Sequence, residues 1–164
     1  MIGSGLRKIV RRIGRKPEDY GKQSFRKHWQ ASLELTLAVA RAMPAEAYDF
    51  KPDTQAMTFA ELMVHIAAVN SSGFARVAGT DALSSPVHVD KQVIVQFLEQ
   101  AFAKCAREYE TLTLEQLNRL SGPEGRQATG IERLWAAFTH TAHHRGQAEV
   151  YLRMNHISPP EYRF

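Results

Sequence analysis

The chain of 164 residues contains a single cysteine, Cys105, so no internal disulfide can form. That excludes a stapled secreted scaffold and makes a reducing cytoplasm the expected setting. No apolar run approaches the roughly 20 residues of a membrane-spanning helix. The short apolar step Ile9-Val10 is followed by more arginines and by no small-residue cleavage site, so no export signal is read. A Gly-rich phosphate loop, a Gly-x-Ser-x-Gly elbow, a Glu-x-x-His pair of the di-iron type, internal repeats and low-complexity segments are all missing. So is convincing β-strand alternation. What remains is a helical chain.

Hydrophobic residues make up 44% and charged residues 23%, ordinary values for a folded domain of this length. The net charge is only +4, and much of the excess lies in Arg7, Lys8, Arg11, Arg12, Arg15 and Lys16. We divide the chain into a basic lead, residues 1–23, and one domain, residues 24–164. The lead could contact nucleic acid or acidic lipid, but it has neither helix-turn-helix spacing nor interleaved aromatics. A solvated, poorly ordered terminus is the simpler reading, and nucleic acid is not an expected partner.

Ser24 is placed to cap a first helix from Phe25 to about Met43, with Phe25, Trp29, Leu33, Leu37 and Ala40 as its apolar stripe and Pro44 as its stop. Thr58-Phe-Ala-Glu61 is a capping box opening a second helix that runs to about Ala78, where Gly79 ends it. Asp90 caps a third helix whose apolar residues, from Val93 through Cys105 to Tyr109, recur every three or four positions. Cys105 belongs to that series and reads as core filler, since a reactive thiol needs a basic, partly exposed setting. Thr113-Leu-Glu-Gln116 starts a short helix, and Ser121-Gly-Pro-Glu-Gly125 breaks the chain. A further capping box, Thr129-Gly-Ile-Glu132, opens a last long helix reaching about Asn155, with Ile131, Leu134, Trp135 and Phe138 packing one side. Four long amphipathic helices make an all-α antiparallel four-helix bundle the economical fold.

The last helix carries His140-Thr-Ala-His-His-Arg-Gly-Gln147. His140 and His144 lie one turn apart and roughly 40° apart around the axis, close enough to hold one ion together. His143 flanks them, and Gln147 projects in nearly the same direction as His140. His65 sits in the apolar middle of the second helix, where a histidine needs a reason, and Glu61 one turn earlier is either its acceptor or only a cap. If the second helix packs on the last, His65 meets His140 and His144. Three neutral imidazoles suit zinc, nickel or iron and leave coordination positions open for a water or a thiol. Two exposed histidines and one core histidine is the plainer alternative. Thr141 follows His140, so the glutamate of a zinc protease is missing. His28 borders the first helix's stripe and reads first as a hydrogen-bonded, half-buried histidine, then as a pocket residue. His88 has no partner at metal spacing.

Glu61-Leu-Met-Val-His65, His140-Thr-Ala-His-His144-Arg-Gly-Gln147, Tyr151-Leu-Arg and Ile157-Ser-Pro-Pro together resemble the DinB-like (DNA-damage-inducible, YfiT-related) metalloenzymes. The resemblance covers roughly residues 25–160, and His-His-Arg-Gly-Gln is its most specific part. It implies an up-down-down-up four-helix bundle, often a homodimer, with His65, His140 and His144 as the three ligands of a divalent metal. His28, His143 and Gln147 are pocket candidates. It also implies a small-molecule substrate and, in some members, thiol transfer or isomerisation with a low-molecular-weight thiol such as bacillithiol, mycothiol or glutathione; others are hydrolases. The expected function is therefore a metal-dependent thiol S-transferase or hydrolase. The alternative is a non-catalytic stress-response bundle that binds metal or a small molecule. No general base is identified.

Overall fold

The computed structural model describes residues 17–88 and 90–162, and among them the fold is helical throughout. Four long helices, α1 (Pro17–Ala42), α2 (Phe59–Ala78), α3 (Lys91–Thr111) and α5 (Gly130–Met154), are joined by loops that include the short helix α4 (Leu114–Asn118) and a 3-10 turn (Ala45–Ala47). An isolated antiparallel bridge, Ser121 to Ala128, closes the turn before α5. No described helix is long and apolar enough to cross a membrane.

Cross-helix contacts fix the direction of each helix. Tyr151 donates to the Met57 carbonyl, and Asn70 bonds Thr141 further along, so α2 and α5 run antiparallel. Arg26 pairs with Glu110 and Arg41 with Glu99, which sets α1 antiparallel to α3. Lys104 and Thr80 both donate to the buried Glu108, tying the C-terminal end of α2 to that of α3. Arg145 donates to Ser32 while Trp135 makes a T-shaped contact with Phe25, so α1 and α5 are parallel. The result is an up-down-down-up bundle in which α2 faces α5 across one side.

Local chemistry explains most of the boundaries. Thr58, Thr113 and Thr129 each form a complete capping box with Glu61, Gln116 and Glu132, and Asp90 accepts from the Val93 amide at 3.0 Å. Gly79 ends α2 at φ 76°, a left-handed conformation that glycine adopts without a Cβ clash. At the C-terminal end of α1, Lys91 donates to the carbonyls of Arg41 (2.8 Å) and Met43 (2.7 Å), which have no helical partner beyond Pro44. Gly130 is required by close approach: a Cβ there would lie 2.3 Å from the Gln116 carbonyl oxygen.

The start of α1 differs from expectation. Ser24 is not a cap; the helix begins at Pro17, where a residue lacking an N–H and with fixed φ fits the first helical position. Residues 17–23, assigned above to the lead, are thus helical, while the basic residues from Arg7 to Lys16 lie outside the described residues. One end of the core is aromatic: Phe25 stacks on Tyr109 (4.3 Å between ring centroids), and Trp29 meets Phe74 (4.8 Å) and Phe102 (4.9 Å). Removing one such buried ring costs about 3–5 kcal/mol. That packing makes a rigid base from which the middle of α2 and α5 presents its histidines.

Candidate metal centre

His65 lies on α2 beside the fully buried Leu62 and Ile66, turned toward α5 at the edge of the core. On α5 the buried row is Leu134, Ala137, Thr141, Arg145, Ala148 and Leu152. His140 and His144 border that row and are half-buried, while His143 and Gln147 are exposed. The antiparallel packing of α2 on α5 brings His65, His140 and His144 together, with one ring nitrogen of each within 4.8 Å of the others. Nε2 of His65 is 3.0 Å from Nε2 of His140. Two nitrogens on a tetrahedral zinc stand about 3.3 Å apart, given Zn–N bonds of about 2.0–2.1 Å, so the pair needs only a few tenths of an ångström of adjustment.

The remaining ring nitrogens decide which atoms face the centre. Nδ1 of His144 donates to Gln147 Oε1 at 2.7 Å, the arrangement that in a neutral ring leaves the ligating lone pair on Nε2. The amide of Gln147 then donates to Nε2 of His143 at 3.2 Å, so one side chain holds both neighbours. Nδ1 of His140 is buried without a hydrogen-bond partner among the described residues, so the tautomer of this ring follows whatever Nε2 engages.

Burial and crowding keep His65 and His140 neutral. Burial, then the proximity of His144, holds the His65 imidazole below its ordinary range. His140 is pushed down to about 4 by burial first, then by His144, His65 and His143. Near neutral pH both rings therefore offer lone pairs instead of competing protons. Two imidazoles held neutral and converging at 3.0 Å, with a third ring oriented by Gln147, are a donor set that fits a borderline divalent cation.

Three further groups, Asn70, Thr141 and Arg145, position the site, in roles that spacing alone does not show. Asn70 donates to Thr141 Oγ1 at 2.9 Å inside the core, setting the register of α2 against α5 next to His140. Arg145 is 8% exposed and donates to Ser32 Oγ at 3.3 Å, locking α5 onto α1. Polar residues in the buried helical row were the available signal for Asn70, Thr141 and Arg145. Glu61 is engaged with the Thr58 amide at 2.7 Å, so its role is the cap. His28 lies apart from the cluster, lining a small cavity of about 30 Å³ with Ser32, Phe138 and Arg145. His88 is exposed in the loop before α3.

Known proteins carry the same architecture. Residues 28–148 match the DinB superfamily. The chain is 32% identical over 145 residues to the Bacillus subtilis protein YjoA, a match covering 83% of this chain and 92% of that protein. The crystal structure of YjoA, a DinB-like protein, superposes with a TM-score of 0.73 at 25% identity, covering 85% of this chain and 98% of that one. A DinB-like protein from Bacillus cereus gives a TM-score of 0.74 at 18% identity, over 86% of this chain and 97% of that one, a likeness of fold alone.

Proposed function

The chain belongs to the DinB superfamily, and from that premise we propose that it is a metal-dependent enzyme in which His65, His140 and His144 hold one divalent ion, zinc, nickel or iron. The observation that carries this reading is the convergence of three imidazole nitrogens from two helices within 4.8 Å. When bound, such an ion supplies a Lewis acid that lowers the pKa of a thiol or water. The chain's own part is to hold and orient. His65 and His140 stay neutral through burial, Gln147 presents Nε2 of His144, and the Asn70–Thr141 bond keeps the two helices in register. The reaction class is transfer of a low-molecular-weight thiol, or hydrolysis, on a small-molecule substrate bound beside the histidines, with a homodimer as the working assembly.

One observation favours the non-catalytic alternative. Glu61, the carboxylate one turn from His65, is engaged at the helix cap and is not poised as a general base. Turnover separates the two readings. Protein loaded with zinc, nickel or iron would be assayed for thiol transfer to an aryl halide and for hydrolysis of activated esters, beside His144→Ala. Metal-dependent turnover lost in the variant supports the enzyme. Stoichiometric metal with no turnover in either assay supports the binding bundle.

A further inference from the structure

A cavity of about 310 Å³ lies between α2 and α5 and begins at His140. Its walls are small or apolar: Val69 and Gly73 on α2 face Ala136 and Ala137 on α5. A Cβ on Gly73 would meet only the Ala137 Cβ, at 3.9 Å, so the two helices leave an open trough here. The far end is cationic, formed by Arg76 and Arg133. Arg133 spends its Nε and one Nη on Ser121. Arg76 is exposed and makes no hydrogen bond or ion pair among the described residues. From His65 to Arg76 along α2 is an axial distance of about 16 Å, and from His140 back to Arg133 along α5 about 10 Å, so a chain of several carbons and an extended arginine side chain together span the trough.

We propose that this trough binds an elongated substrate whose reacting head sits at the three histidines and whose terminal carboxylate is received by Arg76. The inference rests on the function proposed above and specifies its substrate class. Three features support it. The trough ends at His140, one of the three clustered histidines; its middle offers dispersion contacts and no competing charge; and its far end holds a guanidinium with free donors, suited to one carboxylate by paired N–H···O bonds. Arg133 adds positive field but, with two donors committed, is the weaker partner.

The test uses full-length protein loaded with cobalt(II), whose visible and charge-transfer bands report a thiolate entering the metal's coordination. Mercaptopropionate, mercaptohexanoate and mercaptooctanoate are titrated beside the mercapto-alcohols of equal length, with wild type and Arg76→Ala. Mercaptooctanoate should bind on the order of fivefold more tightly than mercaptooctanol, an advantage expected for a partly exposed charge-assisted pair. The advantage should vanish in Arg76→Ala and be absent for mercaptopropionate, which is too short. Gly73→Leu, which fills the trough, should weaken the long acids and spare the short one. Equal binding of long acid and long alcohol to the wild type overturns the inference, as does an advantage that survives Arg76→Ala or holds at every length. If cobalt binds and no thiol alters its spectrum, thiol transfer is removed from the proposed function and this inference falls with it.

Discussion

Replacing Gln147 with alanine isolates what the site's geometry contributes to metal affinity. Gln147 is exposed, so its loss should change folding stability by no more than about 0.5 kcal/mol. Its Oε1 accepts from Nδ1 of His144 at 2.7 Å. That bond is worth about 0.5–1.5 kcal/mol with a neutral ring and about 1.5–3 kcal/mol once the ring carries part of a cation's charge. The difference between the midpoints, roughly 1.2 kcal/mol, is about an eightfold weakening of metal binding, close to the lower end of the range known for acceptors behind a ligating histidine. Competition titration of zinc between the protein and a chromophoric chelator measures it. Gln147→Glu, which keeps an acceptor beside Nδ1, should hold affinity near or above that of the wild type. Unchanged affinity in Gln147→Ala, or equal losses in both variants, would refute the role given to Gln147.

Thr141→Val leaves the fully buried Asn70 amide without its partner and should destabilise the bundle by about 1–3 kcal/mol in urea unfolding, whereas Asn70→Leu combined with Thr141→Val should cost less than the sum of the single changes. The metal-free protein should lose stability as pH falls from the unfolded histidine value of 6.5 toward about 4, because the unfolded chain takes up a proton that folded His140 refuses. His140→Ala should flatten that slope in pH-dependent urea titrations; an identical slope would assign the loss to other groups. Cys105 is fully buried and its thiol is pushed up by burial, so an aromatic disulfide reagent should modify it only at the rate of unfolding. A fast native-state reaction would contradict the packing.

Helix caps made most boundaries legible, since Thr58, Asp90, Thr113 and Thr129 state their helix starts in two or three residues each. The start of the first helix is illegible because Ser24 has the chemistry of a cap, while the helix starts at Pro17. In α5 the apolar pattern also misleads. Thr141 and Arg145 occupy its buried row, so counting apolar residues rotates the apparent core face toward Trp135, which is 43% exposed and meets Phe25 in a T-shaped contact. The three-histidine cluster was legible because i, i+4 spacing on one helix needs only one facing partner, and antiparallel packing supplies His65. Gln147 was legible as a position but not as the acceptor for His144, because that role depends on ring orientation. Arg76 gave no sequence signal, since a lone exposed arginine acquires meaning only from the trough it borders.

Metal content tests the constellation most directly. Untagged protein, gently purified without added metal, would be subjected to elemental analysis beside His144→Ala, with circular dichroism showing that both are folded. Near-stoichiometric zinc, nickel or iron in the wild type, lost in the variant, is the expected result. A wild type that retains no metal even after loading and dialysis, or a His144→Ala protein that keeps its full complement, would contradict a three-histidine centre.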